Sequence, residues 1–327
     1  MIYLSDTEQA VRPGSVAGPV ICSFFLAVDN YGHFWRNRGT SPTYPLARVN
    51  NQVWSLLKFF ALTYGVSWAC FLAAVAMSYG SASALPALTA GRWLLLLLGT
   101  FAPSLMALRV TARENGIPAT QALLRRVFDW RVDARWYLFA VGYMAAIKLT
   151  VALAHRAITG AWPRFGNEAW YVIVVAIILS TPVQAGEEIG WRGYALPRLA
   201  ARFGFARGSV LLGLIWAFWH LPLFFLPGAD TYGQSFPIWV LGVTALSVAI
   251  AWLYAHTNGS LLLTMLMHSA VNQTIGIVPD AEPNTTNPFV LSASLPYLLT
   301  VGFLWVIAVY FLARMPKTEQ GRLWQPV

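Results

Sequence analysis

The stretch Tyr171 to Gly193 reads YVIVVAIIL, then STPVQAG, then EEIGWRG. An apolar run from Tyr171 to Leu179 is followed by a short interval containing Pro182. Two adjacent carboxylates, Glu187 and Glu188, come next, with Arg192 four residues after the second. Nine apolar residues in a row are too few to span a bilayer. Extended to about 169–193, however, the segment exceeds the roughly 20 residues that cross a hydrocarbon core of about 30 Å. Two acids and an arginine in such a span carry an insertion cost of about 2.5 to 3.5 kcal/mol each, which makes them candidates for function.

Composition agrees with a membrane setting. Of 327 residues, 57% are apolar and 11% charged, with 15 tryptophans and a mean hydropathy of +0.56. A soluble domain carries about 25% charged residues. Working outward from Glu187, windows of the same kind fall at about 53–78, 92–111, 136–158, 169–193, 209–227, 236–255, 259–277 and 296–314. This gives an all-α polytopic membrane protein of about eight helices. Residues 1–52 are polar and interrupted by Pro and Gly, and are read as a cytoplasmic extension that lies at the interface at most. Residues 53–314 form one transmembrane domain and 315–327 a cytoplasmic tail. Cys22 and Cys70 cannot make a disulfide framework.

The net charge of +9 would suggest nucleic acid in a soluble chain. Here the arginines punctuate apolar spans instead. They collect in alternate loops (Arg12, Arg36, Arg38 and Arg48; Arg113, Arg125, Arg126, Arg131 and Arg135; Arg198, Arg202 and Arg207) and in the tail at Arg314 and Arg322. The positive-inside rule places both termini in the cytoplasm, with the plasma membrane the expected location. Thr120 to Val132 reads either as a basic amphipathic helix on an anionic surface or as an ordinary connector. Lys58, Lys148 and Arg109 are expected to snorkel or pair near an interface.

Other polar residues inside the spans complete a candidate site. His220 stands in WAFWHLP, and His268 and Asn272 in MLMHSAVN. Four residues apart, His268 and Asn272 share a helix face. At 1.5 Å per residue, Glu187, His220 and His268 lie about 17, 18 and 14 Å from the basic side. Carboxylates, imidazoles and an amide from three helices can therefore meet in one layer. Such a set suits water-activating hydrolysis, with a carboxylate taking a proton from water and N–H groups receiving an oxyanion.

EEIGWRGYAL, WAFWHLP and HSAVN, in that order, resemble the motifs of the CPBP family of intramembrane proteases. That family includes type II CAAX prenyl endopeptidases and bacteriocin-processing or immunity proteins. GTFAPS at Gly99 to Ser104 resembles its early helix. Trp216 stands where the family often has Phe. The resemblance implies an intramembrane endopeptidase cutting near the cytoplasmic side. It implies Glu187 as base, His220 holding the attacking water, and His268 with Asn272 as the oxyanion pair. Glu188 and Arg192 would be a supporting ion pair across one turn. Glutamate-dependent and metallo-type chemistry both stay open, since Glu187, His220 and His268 resemble a three-ligand zinc set while HExxH is absent. The expected partners are a peptide or membrane-protein substrate, prenylated or not, and the lipid bilayer. An idle scaffold or immunity protein of the same fold, or a proton-coupled transporter, are the alternative readings.

Overall fold

A computed structural model describes residues 46–79, 86–279 and 287–315. Among these residues there are helices and no strand. The first, α1 (Leu46–Ser78), begins inside the segment read as an extension, and the rest of that segment lies outside the described residues. Next come α2 (Pro86–Arg125), α3 (Ala134–Thr159) and α4 (Trp170–Ser180). A 3₁₀ turn (Thr181–Gln184) and the short α5 (Ala185–Glu188) lead into a π-helix (Ile189–Ala195), which continues as α6 (Leu196–Phe203). Then follow α7 (Phe205–Trp219), α8 (Phe236–His256), α9 (Leu261–Thr274) and α10 (Leu295–Arg314).

Seven helical stretches among the described residues are long and apolar enough to cross a membrane. The eighth expected span, at 259–277, is shorter than the others: its apolar helix covers Leu261–Ile277, about 25 Å at 1.5 Å per residue. The chain is an all-α polytopic membrane protein.

Lipid is as apolar as leucine, so helices in a bilayer associate through close packing and small residues rather than through hydrophobic burial. The EEIGWRG segment shows how. Gly186 and Gly190, four apart, bring its backbone against Phe101 and Pro103 of α2, and the Ser104 hydroxyl donates to the Ala185 carbonyl. The GTFAPS string is therefore the packing partner of the acidic segment. A Cβ on Gly190 would sit 2.6 Å from the Pro103 carbonyl carbon, an atom that cannot swing away. Gly190→Ala is expected to cost about 1–3 kcal/mol, as overpacking does, read as a lowered thermal midpoint in detergent.

Further along, α6 reverses into α7 at Gly204, whose φ of 82° suits glycine. The last turns of α7 leave carbonyls without intrahelical partners. Tyr64 donates to the Ile215 carbonyl, and Trp68 Nε1 to the Trp219 carbonyl at 3.0 Å, both from α1. Beneath the acidic segment, Trp191 meets Trp219 edge-on at 5.7 Å, and Phe71 and Phe59 close the cluster.

Two expectations need correction. Lys148 does not snorkel, because it is fully buried and donates from Nζ to the Val278 carbonyl at 3.1 Å and to Thr300 Oγ1 at 3.3 Å. In lipid, polar partners of this kind replace the water that an interfacial lysine would reach. The Thr120–Val132 segment is only partly an amphipathic helix. α2 breaks at Gly116 (φ 80°), resumes to Arg125 and ends in a 3₁₀ turn at Phe128. Leu123 is buried, while Leu124, Phe128 and Trp130 are exposed.

Candidate active site

The carboxylates sit at the change of pitch. Glu187 and Glu188 close α5, and the π-helix follows at once. A π turn inside an α-helix wraps the backbone more widely and is frequent at functional sites. Both glutamates are buried, Glu187 at 7% exposure and Glu188 at 0%.

Each carboxylate has a different partner set. Glu188 Oε1 accepts from Arg192 Nη1 at 2.7 Å and from His268 Nδ1 at 2.9 Å. Glu187 Oε2 accepts from the Trp216 indole N–H at 2.7 Å. The ion pair expected from the i, i+4 spacing is present, yet Glu188 also holds one of the two histidines that the sequence reading gave to Glu187. The Glu188 carboxylate thus fixes the ring plane of His268 and directs its Nε2 away from the ion pair, as a carboxylate behind a working imidazole does.

His220 is held by its own helix. Its Nδ1 lies 2.8 Å from the Trp216 carbonyl, so that nitrogen carries the proton and Nε2 is left as an acceptor. Glu187, His268 and Arg192 all lie within electrostatic reach of its ring. Asn272 stands apart from the others. It lies one turn beyond His268 on α9, is exposed, and no hydrogen bond among the described residues ties it to the cluster.

Trp216 joins these groups, and sequence reasoning noted it only as a departure from Phe. Its N–H serves Glu187. Its ring carries the Arg192 guanidinium at 4.3 Å and meets His268 and His220 edge-on at 5.2 and 5.7 Å. A serine contact sets the depth of α9: Ser269 Oγ donates to the Ile177 carbonyl at 2.8 Å and lies 2.6 Å from Ser180 Oγ. The spacing of Ser269 beside His268 was the available signal for it. Trp216→Phe keeps the ring and removes the hydrogen bond to Glu187. A hydrogen bond to a charged group contributes about 1.5–3 kcal/mol, so kcat/KM for peptide cleavage is expected to fall about ten- to a hundredfold with helicity unchanged by circular dichroism.

The three-ligand zinc reading does not fit this arrangement. Among the described residues no three His, Cys, Asp or Glu side chains are grouped to hold a metal ion.

The comparisons with known proteins meet this geometry at the same residues. The family model described as type II CAAX prenyl endopeptidase Rce1-like matches residues 166–274, from just before α4 to the end of α9. Over those residues the chain is similar to that family. A curated relative, CAAX prenyl protease 2 of Methanococcus maripaludis, is 23% identical over 228 residues, covering 65% of this chain and 81% of the relative. The Rce1-like region contains every residue of the candidate site. It leaves α1, α2, α3 and α10 outside the family match, although α1 supplies the caps of α7 and much of the aromatic floor under Glu188.

Proposed function

We propose that this chain is an intramembrane endopeptidase in which Glu187 activates water against a peptide carbonyl near the cytoplasmic side of the bilayer. The observation that supports the reading best is the division of labour between the two carboxylates. Glu188 is fully buried and its Oε1 accepts from both a guanidinium and an imidazole, whereas Glu187, among the described residues, accepts only from the Trp216 indole N–H and keeps 7% exposure.

In this mechanism Glu187 takes a proton from a water whose other hydrogen is accepted by Nε2 of His220. The hydroxide attacks the carbonyl carbon and the carbonyl oxygen becomes an oxyanion. His268, its ring steadied by Glu188, presents Nε2 to that oxyanion, and Asn272 turns in with its amide as a donor. Glu187 then passes its proton to the departing nitrogen. The C–N bond breaks, leaving a carboxylate and an amine.

The relative's name supports a CAAX-type substrate, a C-terminal segment presented at a membrane, with the prenyl group as the variable to test. The experiment is a cleavage assay of the purified protein on leader peptides and CAAX-type peptides, each with and without a prenyl group, beside His268→Ala. Wild type should cut at least one class and the variant should not. Equal cutting by both would remove His268 from the mechanism.

A further inference from the structure

Away from the candidate site, a groove opens between α3 and α10. The two helices run antiparallel, with Phe311 of α10 against Phe139 and Tyr143 of α3 at 5.9 and 6.4 Å between ring centres. The cavity between them is about 530 Å³ and is lined by Arg135, Phe139, Gly142, Tyr143, Ala146 and Phe303 among others. This lies within the range of about 300–1,000 Å³ that holds small molecules.

Three observations identify the occupant. Apart from Tyr143 and from Thr150, whose hydroxyl donates to the Ala146 carbonyl of its own helix, the lining is apolar except at the start of α3, where Arg135 forms part of the wall and Arg314, one turn beyond Phe311, stands at the same end of α10. Arg135 pairs with Asp133 at 3.1 Å, but both side chains are about 70% exposed (72% and 70%). Exposed pairs of this kind are weak, so the guanidinium is available to a stronger anion. Tyr143 lines the groove, is 6% exposed, and its hydroxyl has no hydrogen-bond partner among the described residues. A buried hydroxyl without a partner costs free energy that an acceptor on a ligand would recover. Arg135 and Tyr143 are about 12 Å apart along the helix, and long side chains on a helix lean toward its N-terminus, bringing the phenol oxygen nearer the charged end. An acid head, an ester oxygen below it and a hydrocarbon chain match that order of groups.

We propose that the α3–α10 groove is a binding site for an anionic phospholipid, with its phosphate at Arg135, an acceptor oxygen at Tyr143 and one acyl chain along Gly142 and Ala146. The site is separate from the proposed peptidase centre and does not depend on it. Gly142 provides the floor, and a Cβ there would meet nothing within 4 Å, so a larger side chain fills the groove without a clash in the protein.

The test is native mass spectrometry of the full chain in detergent, titrated with phosphatidylglycerol or phosphatidylcholine, with the thermal midpoint of each variant as the control for folding. Wild type should retain phosphatidylglycerol about fivefold more strongly than phosphatidylcholine, the factor for one arginine at an anionic surface. Arg135→Gln should erase the preference, and Gly142→Phe should displace the lipid; if Gly142→Phe does not fold, Ala146→Phe is read in its place. Equal retention of the two lipids by wild type would overturn the proposal. So would undiminished phosphatidylglycerol binding by a folded, groove-filled variant. Displacement of the lipid by a prenylated peptide ahead of other competitors would assign the groove to substrate and overturn it too.

Discussion

Glu187→Gln is expected to lower peptide cleavage by about 10² to 10⁴, the range supplied by a positioned general base, while leaving the stability within about 1 kcal/mol of wild type. The amide has the size of the carboxylate, and its oxygen can still accept from the Trp216 indole N–H that holds Glu187 at 2.7 Å. Packing against Gly186 and Phe101 is untouched. What is lost is the ability to take a proton from water. The measurement is kcat at saturating peptide with a parallel unfolding curve. A variant retaining more than about a tenth of wild-type kcat would show that another group activates the water.

Glu188→Ala is expected to act in the opposite way, first on stability. Arg192 is fully buried, and Glu188 supplies its charge partner at 2.7 Å. Removing one member of a buried ion pair leaves an uncompensated charge and costs about 3–5 kcal/mol. The Arg192 Nε and Nη2 atoms already have no hydrogen-bond partner among the described residues, so no other acceptor stands ready to take over. Replacing both members with apolar residues of similar volume, Glu188→Leu with Arg192→Met, should recover most of the loss, since paired apolar replacements are often neutral or stabilising. Activity should not return with it, because His268 would still lack the carboxylate that holds its Nδ1. The check is a double-mutant cycle followed by both thermal unfolding and peptide cleavage. Recovery of both quantities together would mean that Glu188 serves the ion pair alone.

The helices were legible in the sequence because membrane spans announce themselves by length and apolarity, and the spans near 136–158, 236–255 and 296–314 agree with helices to within a few residues. The depth of the polar residues was legible for the same reason, since rise per residue is fixed. Which carboxylate met which imidazole was not legible. Depth places Glu187 and Glu188 within about 1.5 Å of each other along an axis, and the choice between them turns on rotation about that axis. A π segment upsets any rotation counted at 100° per residue. Trp216 was underestimated because an indole in an apolar run reads as packing, and its N–H gained a role only when Glu187 came within reach. Lys148 was misjudged because its partners, Val278 and Thr300, are 130 and 152 residues away, beyond any local pattern.

The π-helix over Ile189–Ala195 also sets the phase between two halves of one rod. Upstream, Glu187 and Glu188 are aligned with the histidines; downstream, Leu196, Leu199 and Ala200 are aligned with the hydrophobic core. An ordinary helix links such halves at a fixed angle, and one surplus residue absorbed in a wide turn changes it by about 100°. Excising a single residue from this stretch would therefore leave every side chain chemically intact and still turn the reactive half away from its counterparts. The constraint on this part of the chain falls on the number of residues between the acids and the core as well as on their identity.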